Sequence, residues 1–377
     1  MNIGVNLLQY TDLQGIEVFI LNILGSAIKQ SPSDRFFLFV NRKSREMFSS
    51  LAAENVVFVE IPRGEITSIQ LMLFQQWWLP RACRKNTIDI LWCPSVAVPL
   101  WYRRKIATVH DCADARFKEE SRSIFTKFYL LVVRFFIRWR SLGVVTVSDF
   151  SRSEVSEVYG ISPKNITVVS PAVPVLPTPH GEDVLKAIAK WKIGKDYFFY
   201  VGNTRPRKNI KRILDALFEI IKRHPDAQLV LAGKIDRSFF DIADYVKHIN
   251  IARSVVETGF ISDIEKVALY RGSIGLVFPS LYEGFGTPVV EAQSLGVPVI
   301  TSNISSLPGV GGEGALYVDP YDYKDIARAM ESLMSDSSLR EKLIRLGNEN
   351  VKRFSWDKSA ERLMAVLHDA ASKSRKV

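Results

Sequence analysis

The sequence predicts an α/β protein built from two doubly wound parallel sheets. Three observations carry that prediction. Short apolar runs alternate with helix-like patterns along the chain, and such βα alternation calls for parallel sheets. The runs are near-continuous in Val, Ile, Leu and Phe, which suits strands covered on both faces. One proline-dense stretch, "SPAVPVLPTPHGED", separates two series of such runs. Pro171, Pro174, Pro177 and Pro179 block helix and central strand there, so the stretch reads as a linker.

In chain order, the first series predicts strands at Asn2–Leu7, Phe36–Val40, Val56–Glu60, Ile90–Cys93, Lys105–His110 and Gly143–Ser148. The second predicts Tyr197–Gly202, Gln228–Ala232, Val255–Thr258, Gly275–Pro279 and Pro298–Thr301. Helical patterns such as "NIKRILDALFEIIKRH" and "DIEKVALYRG" lie between them. The 377 residues exceed one ordinary core, and the linker divides them into domains at 1–175 and 176–355. The final "SKSRKV" reads as a frayed basic tail.

With 47% hydrophobic and 24% charged residues the chain reads as globular, not disordered. A formal net charge of +10 favours partners that carry phosphate: nucleotides, nucleic acid or an anionic membrane surface. Cys83, Cys93 and Cys112 form no C-x-x-C pair, which argues against a disulfide framework and for a reducing compartment. "MNIGVNLLQY" enters a strand directly and reads as no signal peptide. "FYLLVVRFFIRW" is interrupted by Arg134 and Arg138 and is too short to span a bilayer, so a cytoplasmic location is expected.

Candidate chemistry concentrates in "PSLYEGFGTPVVEAQSLGVPVITS". A buried strand leads into a glycine-rich turn. Thr287 reads as the N-cap of a short helix with Pro288 at its first position, Gly296 at its end and Pro298 beyond. That helix would start at the carboxyl end of a parallel strand, where open α/β sheets bind ligands. Amides near Gly286 and Thr287 would then suit phosphate. Glu291 falls on the first turn and Glu283 on the preceding loop. A carboxylate can grip two vicinal hydroxyls, so two of them flanking a phosphate site suggest a nucleotide sugar. The alternative is that Glu291 only complements the helix dipole.

In "YFFYVGNTRPRKNIKRIL" a strand ends at Gly202 and Arg205, Arg207 and Lys208 precede a helix from about Asn209. Such cations are placed for a diphosphate, or form a solvated basic loop. The turn fits neither the dinucleotide fingerprint nor the P-loop spacing. In the first half, Gly15 opens a helix after the first strand and permits close backbone approach to a ligand. His110 ends "IATVH", where a histidine serves catalysis or sits satisfied in a core. With no D-x-D, H-x-x-x-H or paired Cys, no metal site and no cofactor are expected.

Together these stretches resemble the retaining glycosyltransferases of GT-B fold, the glycosyl transferases group 1. The Glu-x7-Glu motif "EGFGTPVVE" carries most of the likeness, with "YVGNTRPRKNI", "VVTVSDFSRSEV", "SNISSLPGVGGEGALYVDPYD" and "RFSWDKSAERL" in support. The resemblance runs from Gly4 to about Leu367. It implies two Rossmann-like domains facing across a cleft, the first for the acceptor and the second for a nucleotide sugar. It also implies a tail helix over 356–370 that returns to the first domain.

By the same resemblance Glu291 would hold the ribose and Glu283 the transferred sugar. Lys208 with Arg207 or Arg205 would neutralise the diphosphate. Gly15 would lie under the phosphates and His110 would touch the donor sugar. Amides from Phe285 through Gly286 to Thr287 would complete the cradle, and the backbone at Gly259 to Ile261, including Phe260, would meet the base. Asn203, the stretch "SPAVP" and Gly309 depart from the family pattern.

The implied reaction moves a hexose to an alcohol without a metal or an enzymatic nucleophile. The "PRKN" stretch resembles that of relatives which use GDP-mannose in bacterial surface-polysaccharide synthesis, with UDP-glucose as runner-up. A lipid-linked oligosaccharide acceptor is expected. "QLMLFQQWWLPRACRK" and "FTKFYLLVVRFFIRWR" could rest on anionic lipid, although both also read as partly buried helices, the second especially. A nucleotide-sugar epimerase and a polyanion binder are the rival functions, the latter without any nucleic-acid motif.

Overall fold

The structure is a computed structural model that describes residues 1–10, 15–61, 67–117, 124–178 and 181–374. The chain divides into unit 1, Met1–Pro171 with Phe354–Val377, and unit 2, Ala172–Arg353. Pro179, His180 and the last three residues of the basic tail lie outside the described residues.

Unit 1 holds a seven-stranded parallel sheet of β1 (Asn2–Asn6), β2 (Arg35–Val40), β3 (Val56–Glu60), β4 (Ile90–Cys93), β5 (Lys105–Thr108), β6 (Gly143–Thr146) and β7 (Ile166–Val168). The order is β3-β2-β1-β4-β5-β6-β7, so the winding reverses between β1 and β4. Its helices are α1 (Gly15–Gln30), α2 (Arg42–Met47), α3 (Ser68–Leu73), α4 (Leu79–Lys85), α5 (Ala113–Arg116), α6 (Ile124–Arg140) and α7 (Asp149–Tyr159).

The period-2 geometry of a strand explains the unbroken apolar runs. In β2, Phe36, Leu38 and Val40 enter one core with Ile20, Ile23 and Leu24 of α1, while Phe37 and Phe39 enter the other with Leu79 and Ala82 of α4 and Val133 and Ile137 of α6. Both faces are covered, so no polar alternation is written into the strand.

Local chemistry sets the helix ends. Ser148 caps α7 by accepting from the Ser151 amide, and Gly160 closes it at φ 64°. Between α3 and α4 the chain makes one π turn, Phe74–Trp78, with the Leu79 amide reaching back to Phe74 O. Pro80 follows and has no amide to continue the α pattern, which accounts for the widened turn.

Unit 2 holds a six-stranded parallel sheet of β8 (Tyr197–Val201), β9 (Gln228–Ala232), β10 (Val255–Gly259), β11 (Gly275–Phe278), β12 (Val299–Ser302) and β13 (Leu316–Val318). The order β10-β9-β8-β11-β12-β13 reverses between β8 and β11, and that crevice is where an open sheet receives ligands. Its helices are α8 (Gly181–Trp191), α9 (Ile210–Ile221), α10 (Ile242–His248), α11 (Asp263–Gly272), α12 (Thr287–Ser294), α13 (Leu307–Gly311), α14 (Tyr323–Ser335) and α15 (Ser337–Val351).

After α15 the chain returns to unit 1 as α16 (Trp356–Ser374), which buries Ala360, Leu363, Leu367 and Ala370 in the same core as α1. The helix runs through Ser374, so the first half of "SKSRKV" is its last turn, not frayed chain.

Several strands stop one or two residues short of their sequence-based ends. At β5 the Val109 amide still reaches Val145 O, and the chain then leaves the sheet before His110. The edge strands β7 and β13 have three residues each and were not expected from the sequence.

Candidate functional site

The site of unit 2 begins at the carboxyl ends of β8 and β11. After β8 the chain passes Gly202 and enters a short 3-10 turn, Pro206–Lys208. Gly202 lies at φ 149°, and Gly233 beyond β9 lies at φ 115°. A Cβ on Gly233 would stand 2.3 Å from Gly202 O, so only glycine lets these two strand ends approach.

Asn209 fixes the turn. It sits in the left-handed region at φ 64° and is buried, with Nδ2 donating to Pro279 O at 2.9 Å and to Pro320 O at 2.7 Å. The Leu281 amide donates to Arg207 O at 2.7 Å. These bonds lock the basic turn after β8 onto the loop after β11.

That locking brings Lys208 to Glu283, both buried. Lys208 Nζ is 2.5 Å from Glu283 Oε1, and Arg207 Nη1 is 3.8 Å from Glu283 Oε2. The Lys208 ammonium lies 5.1 Å from the centre of the Phe278 ring, which itself stacks on Tyr200 at 5.9 Å. Burial and the nearby Glu283 carboxylate push the Tyr200 phenol far above its ordinary range, so it stays a neutral donor to Asn203 O. Arg205 is exposed on the outer side of the same turn.

The glycine-rich loop ends at Gly286, whose φ is 103° and whose added Cβ would meet Leu307 Cδ2 at 2.7 Å. Gly286, not Thr287, is the N-cap of α12, and Thr287 and Pro288 take the first two helical positions. The correction follows from that backbone: the left-handed residue must lie outside the helix. Phe285 is buried, and Ser306 Oγ donates to Glu283 O at 2.9 Å and to Phe285 O at 2.8 Å, bracing the loop from α13.

Glu291 is therefore past the first turn of α12, too far along to act as a simple dipole complement. It is buried beside α11: Lys266 Nζ stands 3.4 Å from Oε1 and the Tyr270 hydroxyl 3.2 Å from Oε2. Burial lifts its carboxyl above the ordinary carboxylate range, and Lys266 offsets only part of that. Lys266 and Tyr270 escaped sequence reasoning, although their i, i+4 spacing on "DIEKVALYRG" puts them on one helix face. Phe260 is exposed just after Gly259, which closes β10 at φ 67°.

In unit 1, Gly15 is the first residue of α1, and a Cβ there would meet nothing within 4 Å. His110 Nε2 donates to Pro94 O at 2.8 Å, which leaves Nδ1 as the ring acceptor. Phe19 of α1 meets the imidazole edge-on at 5.3 Å. Burial holds its pKa below the ordinary histidine value, so the ring is neutral near pH 7. Among the described residues no group of three or more His, Cys, Asp or Glu converges as a metal site. Cys83, Cys93 and Cys112 are buried free thiols.

Residues 182–350 match the family "Glycosyl transferases group 1", and residues 5–176 match "Glycosyltransferase Family 4". The O-antigen chain mannosyltransferase B of Escherichia coli is 33% identical over 224 residues, 57% of this chain and 57% of that protein. The serotype-specific mannosyltransferase WbdA of Escherichia coli is 30% identical over 231 residues, 59% of this chain but 28% of WbdA. The chain thus matches little more than half of the first relative and under a third of the second. A crystal structure of Anabaena HepE in complex with UDP and glucose superposes with a TM-score of 0.73 at 15% identity, covering 97% of this chain and 99% of that one.

Proposed function

The chain belongs to the glycosyl transferases group 1 and has the GT-B type of fold, and from that premise we propose that it moves a hexose from a nucleoside diphosphate to an oligosaccharide in bacterial surface-polysaccharide synthesis. The donor is GDP-mannose and the acceptor is lipid-linked. Two mannosyltransferase relatives support the sugar. The observation that carries the reading is the meeting of Lys208, Arg207 and Glu283 at the reversal point between β8 and β11.

In this mechanism the bond from the anomeric carbon to the diphosphate breaks as the acceptor hydroxyl attacks the same face, so configuration is retained. The departing phosphate oxygen takes the acceptor's proton. Lys208, Arg207 and the amides at the start of α12 hold the charge that develops there. Glu283 orients Lys208 and contacts the transferred sugar. Glu291 accepts from the ribose hydroxyls. Arg205 adds positive charge at the rim, and Phe260 and Gly259 lie by the base.

The test is thermal shift with a panel of nucleotide sugars, beside sugar transfer to a lipid-extractable acceptor in excess EDTA. GDP-mannose should raise the melting temperature most, because a ligand of the folded state stabilises it. Transfer should persist without free metal. A larger shift with UDP-glucose reverses the donor assignment. Epimerised nucleotide sugar without acceptor replaces transfer by epimerisation.

A further inference from the structure

Helix α6 has two apolar faces. Val133 and Ile137 are buried in the core beneath the sheet. On the opposite side Phe128, Leu131, Phe135 and Trp139 are each between 58% and 68% exposed, at helical spacing along one stripe. A soluble surface helix would carry polar groups there. Here none of Ile124–Arg140 is acidic, and Lys127 and Arg138 are exposed with the stripe.

The stripe continues beyond the helix. Trp101 is 69% exposed and packs edge-on against Phe136 at 4.8 Å. Trp77, on the π turn, is also exposed, with Met72 and Leu73 of α3 beside it in the chain. α4 and α6 cover the same core, so these residues belong to one layer of unit 1.

Hydrogen bonds knit the layer into one platform. Gln76 donates to Val98 O at 3.0 Å and accepts from the Leu100 amide at 2.7 Å, tying the π turn to the Trp101 loop. Lys105 is fully buried, and its ammonium donates to Leu100 O, Tyr102 O and Arg140 O at 3.2, 2.6 and 3.4 Å, tying that loop to the end of α6.

Each exposed tryptophan has an arginine against its ring: Arg81 at 5.7 Å from Trp77, Arg140 at 5.3 Å from Trp101 and Arg138 at 5.0 Å from Trp139. Arg103 and Arg104 are exposed immediately beyond Trp101. The acidic groups of the neighbouring α7 are engaged by arginines, Glu154 and Glu157 by Arg116 and Asp149 by Arg152. Indoles settle at the boundary between acyl chains and headgroups, and an arginine alongside reaches the phosphate.

We propose that this platform is a docking surface for an anionic lipid bilayer: the aromatic stripe enters the interface and the arginines contact lipid phosphates. Apolar burial with basic attraction is the combination that holds an interfacial helix, and charge complementarity selects anionic lipid over a protein groove. The proposal is independent of the transfer reaction, because it concerns only unit 1 and lipid.

The experiment is co-sedimentation of the full chain with vesicles of phosphatidylglycerol and phosphatidylethanolamine, against phosphatidylcholine alone. Near-ultraviolet circular dichroism, which reads the packed aromatic residues of unit 1, is recorded on the same samples, so that a misfolded variant is recognised. The full chain should bind the anionic vesicles and leave phosphatidylcholine largely unbound. Phe135→Ser with Trp139→Ser should lower partitioning about tenfold or more. Arg103→Glu with Arg104→Glu should lower it to a similar extent, and salt should weaken the wild type. Leu185→Ser, an exposed apolar residue of unit 2, should change nothing. Equal binding to both vesicle types, or aromatic variants that bind as wild type, would overturn the proposal. So would wild-type chain that ignores vesicles but dimerises in light scattering, with the aromatic variants monomeric.

Discussion

Lys208 and Glu283 lie 75 residues apart in sequence, yet the ammonium and carboxylate meet at 2.5 Å in a buried setting. A pair so placed restrains both partners. Removing one leaves the other buried without its nearest counter-charge, which costs about 3–5 kcal/mol.

The isosteric Glu283→Gln should therefore be more informative than alanine. It frees Lys208 and Arg207 from a competing carboxylate, so nucleoside diphosphate affinity should hold or rise. Transfer should fall about 100-fold or more, if the carboxylate acts on the sugar and on Lys208 in the transition state. Lys208→Met should lose both affinity and turnover. Calorimetry beside turnover checks the pair, and affinity that collapses in Glu283→Gln would reverse the division of roles.

Glu291 gives a pH signature. Its carboxyl is lifted above the ordinary 4.5 by burial. A ribose needs the ionised form as acceptor, so nucleotide affinity should decline on acidification at a pH above 4.5. Glu291→Gln should bind more weakly, by about 1–3 kcal/mol, and show no such slope. Stability has the opposite sign: between 4.5 and the raised value the folded chain binds the proton more tightly, so this residue's contribution falls as pH rises. Isothermal titration across that window, wild type against Glu291→Gln, decides it.

His110 is depressed below its ordinary 6.5 by burial. As pH falls through that range the unfolded chain takes up the proton first, so the stability held above pH 6.5 is progressively lost. His110→Gln keeps a donor for Pro94 O and should remove the slope. Urea midpoints between pH 5 and about 8 test this, and identical slopes in both proteins would refute it.

Gly286→Ala should destabilise unit 2. At φ 103°, with Leu307 Cδ2 only 2.7 Å from a new Cβ, the turn cannot accept a side chain without shifting. A loss of about 1–3 kcal/mol is expected, together with weaker nucleotide binding as the start of α12 moves. Thermal melts with and without nucleoside diphosphate read both effects.

The central strands were legible in the sequence because burial on both faces leaves an unmistakable apolar run, as in Phe198–Phe199 or Leu229–Leu231. Edge strands β7 and β13 were not: three residues carry no period. Glu283, Glu291, Lys208 and the glycine-rich turn could be found as local motifs. Asn209, Lys266 and Tyr270 could not, because their meaning is a long-range bond, to Pro279 and Pro320 or to Glu291, that no spacing encodes. The N-cap was misread by one residue, since Thr is the better cap by side chain while the backbone at Gly286 decided otherwise. The second aromatic stretch is a partly buried helix as expected, but its inner and outer apolar faces could not be told apart before the sheet beneath it was known.

The return of α16 to the core of α1 gives synthesis on the ribosome a direction. All of unit 2, Ala172–Arg353, leaves the exit tunnel before Leu363 and Leu367 can reach the core that Ile20 and Ile23 wait to close. The half of the protein translated first is thus completed last, with an apolar groove along α1 uncovered for as long as the other half takes to emerge. Nascent chains stalled when Phe354 has just emerged from the tunnel should accordingly show protease-resistant unit 2 and protease-sensitive unit 1. Release through Ser374 should protect both.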